Sequence, residues 1–287
     1  MIRVKILQIP EGLKRKALSM ADDLGDVLIY CEPCYGACDL CIDEAKVLGC
    51  DGVIHFGHSK LIESDVPVEY NEMRQDFDPV PVLEKNIENI KGERIGLVST
   101  IQFLDSLEPA KELLEKKGKT VLIGKGKSYE GQILGCDVSA AKSVEKDVDV
   151  FLYIGSGKFH PLGLALQTEK PVFVLDKEKN EIYEIDKEKF EKQKYAAIAL
   201  VKDAKKFGIL VSTKPGQLNI ELAEKMKSDL ENKGKKAYIL VFNEIKPEKL
   251  EGLNLDCYVN TACPRITIEN RTDFKKPILN PDELDKT

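Results

Sequence analysis

The chain repeats itself, and the repeat limits its fold more than any other feature. Leu97-Val98-Ser99-Thr100 recurs as Leu210-Val211-Ser212-Thr213, and each copy leads into an amphipathic helical stretch that stops at Lys117-Gly118 or Lys233-Gly234. A glycine just past the last helical turn is the usual stop, because it takes the left-handed conformation without a Cβ clash. An apolar strand follows each time, Val121-Leu122-Ile123 in one and Tyr238-Ile239-Leu240-Val241 in the other. The N-terminal third does the same with Leu13 to Leu24, then Gly25, then Val27-Leu28-Ile29-Tyr30. Further strands beginning near Asp51, Asp149 and Asp256 also match, and each copy closes on a proline-led strand at Pro67-Val68, Pro171-Val172 or Pro277-Ile278. Helix and strand alternate throughout, which predicts parallel α/β units rather than an antiparallel fold. The expected architecture is α/β, with three repeated parallel domains around a pseudo-threefold centre. Their expected bounds are 1–90, 91–203 and 204–287.

Cysteine placement within the repeat points to chemistry. Cys38 and Cys136 fall in the first loop after the helix-glycine-strand element, whereas Cys263 takes the slot of His58 and Ser156 at the end of the next strand. Functional groups of parallel α/β sheets gather beyond the carboxyl ends of strands, so neighbouring loops can reach one centre. The three are the best candidates for one iron–sulfur site with imperfect threefold symmetry.

A net charge of −6 offers no basic surface for nucleic acid. The apolar runs are of strand length, well short of the ~20 residues of a membrane span, and Val4 to Ile9 reads as a strand rather than a signal peptide. A cytoplasmic protein is expected. Eight cysteines in a reducing compartment favour thiol, metal or catalytic roles over disulfides.

Cys34, Cys38 and Cys41 also stand in the C-x3-C-x2-C spacing that radical S-adenosylmethionine (SAM) enzymes use to hold a [4Fe–4S] cluster. That motif normally opens one larger partial barrel, and this chain is a triple repeat. Cys31 and Cys50 crowd the same region, so a zinc clip is a further reading of these thiols.

Four stretches in order, Tyr35-Gly36-Ala37-Cys38-Asp39, Leu134-Gly135-Cys136, Gly157-Lys158-Phe159-His160-Pro161-Leu162-Gly163 and Ala262-Cys263-Pro264-Arg265, resemble the diphthamide-biosynthesis family over essentially the whole chain. The resemblance implies one cysteine per domain, here Cys38, Cys136 and Cys263, on a [4Fe–4S] cluster. It also implies SAM as cosubstrate. The implied reaction transfers a 3-amino-3-carboxypropyl group to C2 of a histidine of translation elongation factor 2, after cleavage of the bond between the SAM sulfur and the methionine Cγ. An electron donor and an archaeal-type homodimer are implied as partners. Cys34 and Cys41 fall outside the family's ligand pattern.

Several residues are candidates for holding SAM. Arg265, two positions after Cys263, is suited to pairing with a carboxylate through bidentate hydrogen bonds. Gly155 and Gly157 end a strand and would let backbone N–H groups approach a ligand. Ser99 and Gln102, with Ser212, end strands in two repeats, where they serve equally well as helix caps. His58 and His160 occupy strand-end loops and are candidates for substrate contact. Cys257 reads as a small hydrophobe in a strand, 176–194 as a polar hairpin and solvated helix, and 277–287 as a closing strand with a polar tail. Two other functions compete. Quinolinate synthase also resembles a triple α/β repeat with one cluster cysteine per domain, and a non-enzymatic metal-binding or redox module would use the clustered N-terminal cysteines.

Overall fold

The computed structural model describes residues 4–286. Each copy of the repeat builds one sheet. The first holds β1 (Lys5–Gln8), β2 (Val27–Tyr30), β3 (Gly52–Phe56) and β4 (Val68–Asn71) in the order β2-β1-β3-β4. In the second, β5 (Arg94–Ser99), β6 (Thr120–Ile123), β7 (Val150–Gly155) and β8 (Val172–Asp176) repeat that order, extended by β9 (Glu181–Glu184). The third repeats it again with β10 (Lys206–Ser212), β11 (Lys236–Phe242), β12 (Cys257–Asn260) and β13 (Ile278–Leu279). All pairings are parallel except β8 with β9, which is antiparallel. Parallel neighbours need crossover connections, and helices supply most of them. The helices are α1 (Ala17–Leu24), α2 (Ile42–Val47), α3 (Val80–Asn86), α4 (Leu107–Lys116), α5 (Ser139–Val144), α6 (Phe159–Ala165), α7 (Glu188–Val201), α8 (Ile220–Asn232), α9 (Arg265–Glu269) and α10 (Pro281–Leu284), of which α3 and α7 link successive sheets and α10 follows the last strand.

Burial follows strand position. The inner strands β3, β7 and β12 are buried at every residue, and β5 and β10 at all but the first. Helices or loops cover both faces of such strands, so their sequences read as continuous apolar runs. The edge strands β2, β4 and β11 carry partly or fully exposed residues. The chain divides into two compact units, one ending at Ile185 and one beginning at Asp186. The first two sheets lie in the first unit and the third lies in the second. Among the described residues no helix is long and apolar enough to cross a membrane.

The helix stops read from sequence are present. Gly25, Gly118 and Gly234 have φ of 81°, 85° and 72° at the ends of α1, α4 and α8. The Asp176–Lys194 region forms the β8–β9 hairpin and the start of α7. The expected polar tail is instead a short helix. Asn280 and Glu283 form a reciprocal cap on α10. Arg271 then grips the Glu283 carboxylate at 2.6 and 2.8 Å and donates to the Ile278 and Thr267 carbonyls. Helix α10 is too short to show a period, so that buried pair holds it in place.

The aspartates that recur before the third strand have a structural role. Asp149 accepts hydrogen bonds from the backbone N–H groups of Glu93 and Arg94 and pairs with the Arg94 guanidinium at 2.7 Å. Asp256 does the same for the N–H groups of Lys205 and Lys206, each at 2.8 Å. Each carboxylate ties the entry of a sheet's first strand to its third. The Arg94 side chain and then its backbone N–H hold the Asp149 carboxyl down to about 2. Such a group adds stability above its unfolded value near 3.8 and loses it as pH falls through the folded value. Asp149→Ala should therefore melt below the unsubstituted protein at pH 7. That difference should narrow as pH falls from about 4 to about 2, read by thermal denaturation across a pH series.

Candidate functional site

A buried glutamine organises the first cysteine loop. Gln8 ends β1, and its Nε2 donates to the Asp39 carbonyl at 2.6 Å while its Oε1 accepts from the Cys41 N–H at 3.4 Å. Asp39 in turn donates its N–H to the Gly36 carbonyl at 3.0 Å and accepts from the Tyr35 N–H. Residues on both sides of Cys38 are thus fastened to the carboxyl end of the sheet, and Cys38 itself stays partly accessible. The other thiols of this loop differ. Cys41 is buried among Leu40, Ile42, Ala45 and Val53, and burial pushes its thiol far up. A thiol closed into the apolar core has no open side for a cluster, which weighs against the local C-x3-C-x2-C reading. Cys34 is also buried, but its neighbours are His55 and His58.

The second cysteine is positioned by close approach. A Cβ on Gly135 would stand 1.9 Å from the Phe159 ring, and one on Gly163 would stand 2.9 Å from the Gly135 carbonyl. Helix α6 therefore seats on the loop just before Cys136, which accounts for both glycines and the phenylalanine of that stretch. On the other side Leu134 donates to the Asp137 carbonyl at 2.7 Å, and the Asp137 carboxylate accepts from the Ser139 N–H and pairs with Lys127. Cys136 is exposed as a residue, yet the protein crowded around its sulfur pushes the thiol up, and the Cys38 thiol and Asp137 push it further. Loops of two different sheets thus bring Cys38 and Cys136 within electrostatic reach of each other. Accessible thiols such as these are suited to thiophilic iron, whose binding displaces their protons.

The third cysteine lies in the second unit. Asn260, buried at the end of β12, donates to the Cys263 carbonyl at 3.0 Å and accepts from the Ala262 N–H. It plays for this loop the part that Gln8 plays for the first. Cys263 is partly accessible. The segment after it is helical from Arg265, not extended, so alternation along a strand does not align Arg265 with Cys263. Arg265 pairs with Glu269 one turn along the same helix.

The remaining candidates hold the scaffold by visible bonds. Ser99 is buried and donates to the Ile154 carbonyl at 2.7 Å, Gln102 donates to the Gly57 carbonyl at 2.6 Å, and Ser212 donates to the Asn243 carbonyl at 3.2 Å. Ser212 also accepts from the Lys214 N–H, a local turn rather than a helix cap. Gly155 ends β7 where a Cβ would meet the Tyr153 ring, and Gly157 has φ of 73° with open space at its Cβ position. His160 stacks edge-on to Phe159 at 5.0 Å. Cys257 is a core residue, with its thiol pushed up to about 12 by burial. Sequence reasoning passed over Gln8 and Asn260. Their signal was one polar side chain closing a run of apolar residues, Ile6-Leu7 before Gln8 and Tyr258-Val259 before Asn260.

The sequence profile of the diphthamide synthesis proteins matches residues 9–286. The 2-(3-amino-3-carboxypropyl)histidine synthase of Pyrococcus horikoshii is 40% identical over 98% of this chain and 84% of its own length. Subunit 1 of the corresponding synthase of Caenorhabditis elegans is 32% identical over 97% of this chain and 74% of its own. The crystal structure of Dph2 from Pyrococcus horikoshii with a 4Fe-4S cluster superposes with a TM-score of 0.93 at 39% identity, covering 99% of this chain and 86% of that one. The expected resemblance and α/β fold hold, the quinolinate synthase reading falls away, and the chain belongs to the diphthamide synthesis family.

Proposed function

We propose that this protein is a 2-(3-amino-3-carboxypropyl)histidine synthase, with Cys38, Cys136 and Cys263 as the thiolates of one [4Fe–4S] cluster. The observation that carries the reading is the approach of the Cys38 and Cys136 thiols from separate sheets, in a family with a relative solved with a 4Fe-4S cluster. Three protein thiolates would hold such a cluster with one iron left for SAM, and in its reduced form the cluster would supply the electron for breaking the sulfur–Cγ bond. Methylthioadenosine would leave, the 3-amino-3-carboxypropyl radical would add to C2 of a substrate histidine, and the adduct would regain its aromatic ring by losing the C2 hydrogen as a proton and returning one electron to the cluster. The chain's own groups bind and orient. Arg265, released from Glu269, would pair with the SAM carboxylate. Gly155 and Gly157 would offer close backbone, and Ser99, Gln102 and Ser212 would line the strand ends beside it. The protein substrate is elongation factor 2, met in the cytoplasm by a homodimer that draws its electron from a separate donor.

Ligation is tested by iron counting. Cys38→Ala, Cys136→Ala and Cys263→Ala should each lose the cluster and its visible absorbance, while Cys41→Ala keeps both. A full cluster in Cys136→Ala with loss in Cys41→Ala would return the site to the local motif.

The bond that breaks is read from the products. Reduced, anaerobic protein with SAM should release methylthioadenosine and add mass to one histidine peptide of elongation factor 2. Release of 5′-deoxyadenosine with no modified histidine would reject the transferase reading.

Arg265→Ala should weaken SAM binding about ten- to a hundred-fold while cluster absorbance survives, as expected for one charge-assisted hydrogen bond of ~1.5 to 3 kcal/mol. Arg265→Lys keeps the charge and loses the planar fork, so it should restore only part of the affinity. Isothermal titration with SAM measures both.

A further inference from the structure

The first sheet carries a second group of potential metal ligands that the cluster does not use. Cys34, His55 and His58 each bring one ligand atom to within 4.8 Å of the others, with Cys34 and His55 buried and His58 partly so. We propose that Cys34, His55 and His58 form a mononuclear site for zinc, separate from Cys38, that clamps the first cysteine loop to the end of β3.

Gln8 fixes the tautomer of His55. Its Nε2 faces the Asp39 carbonyl and its Oε1 faces the Cys41 N–H, two backbone groups whose roles are unambiguous, so the amide can point only one way. The same Oε1 lies 2.9 Å from His55 Nδ1, which must therefore be the protonated nitrogen. His55 Nε2 then carries the lone pair, and it points at His58 Nδ1, 3.0 Å away. A ligating histidine typically has its other ring N–H held by a carbonyl, amide or carboxylate, which fixes the tautomer. Gln8 supplies that holding bond here. Neutral imidazole is the metal-binding form, and the bond to Gln8 holds His55 in the tautomer that offers Nε2. The Tyr70 ring closes the far side, edge-on to His55 at 5.7 Å.

One thiolate and two imidazoles suit zinc, with a fourth position left for water or an exogenous ligand. Binding balances simply. The Cys34 thiol gives its proton to solvent, and His58 shifts its ring proton from Nδ1 to Nε2 as the metal takes the place of the hydrogen bond between the two rings. Binding should therefore weaken as pH falls. The clamp would join Cys34, four residues before Cys38, to a strand end, and so limit the freedom of the loop before its cluster ligand is engaged. This proposal is independent of the transferase reading, because its measurement is zinc content and not turnover.

The test uses the full chain, purified anaerobically with its cluster and equilibrated with zinc chloride against a competing chelator, with zinc and iron counted per chain. About one zinc in addition to the cluster iron is expected. Cys34→Ser and His58→Ala should each weaken zinc binding at least about a hundred-fold, beyond the ten- to hundred-fold typical of outer-shell partners, while iron is retained. Zinc absorption spectroscopy on the unsubstituted protein should show one sulfur and two imidazoles, which keeps the test decisive if a variant fails to fold. No bound zinc would overturn the proposal, leaving a hydrogen-bonded histidine pair. So would zinc that survives both substitutions, or that is lost only in Cys38→Ala, the mark of zinc on the cluster thiols.

Discussion

Everything at the site depends on where a polar side chain is tolerated in a parallel sheet covered on both faces. Within such strands an unpartnered polar atom costs a few kcal/mol, so the inner strands here are apolar almost to their last residue. At the carboxyl end the requirement relaxes, because the loops leaving the sheet bring backbone groups that can pair. Gln8, Ser99 and Asn260 sit at such ends, each buried and each bonded to a loop or neighbouring strand. Two of them fasten loops that carry cysteines. The rule that keeps the core dry thus also fastens the loops of Cys38 and Cys263.

A second constraint is steric. Cys136 is held by the fit of helix α6 against the preceding loop, where Gly135 and Gly163 allow backbone and ring to meet at distances no Cβ would permit. Polar fastening at Cys38 and Cys263 and close packing at Cys136 achieve the same result by different means. The repeat is therefore a repeat of strands and helices, and the devices that aim the thiols vary from copy to copy. The aspartates before β7 and β12 vary less, because they bind backbone N–H groups that the second and third copies present in the same place.

The eight cysteines separate by environment once the fold is known. Cys257 and Cys41 are core side chains with thiols pushed up by burial, Cys34 faces two histidines, and Cys38, Cys136 and Cys263 remain accessible on strand-end loops. The spacing of Cys34, Cys38 and Cys41 could not make that distinction, since the loop directs successive thiols into different surroundings. Sequence spacing reports which residues are near along the chain, and coordination depends on which sulfur atoms converge in space.

From the sequence alone came the α/β class, the order of helices and strands in each copy, the glycine stops at Gly25, Gly118 and Gly234, and the strand-end placement of Cys38, Cys136 and Cys263. These are legible because apolar periodicity and left-handed glycines are local properties of the chain. The approach of Cys38 to Cys136, the helical turn that carries Arg265, the short helix at residues 281–284 and the grouping of Cys34 with His55 and His58 were decided by tertiary structure. Each depends on contacts between segments distant in sequence, or on a turn too short to show a period. No pattern along the chain encodes the direction in which such a side chain finally points.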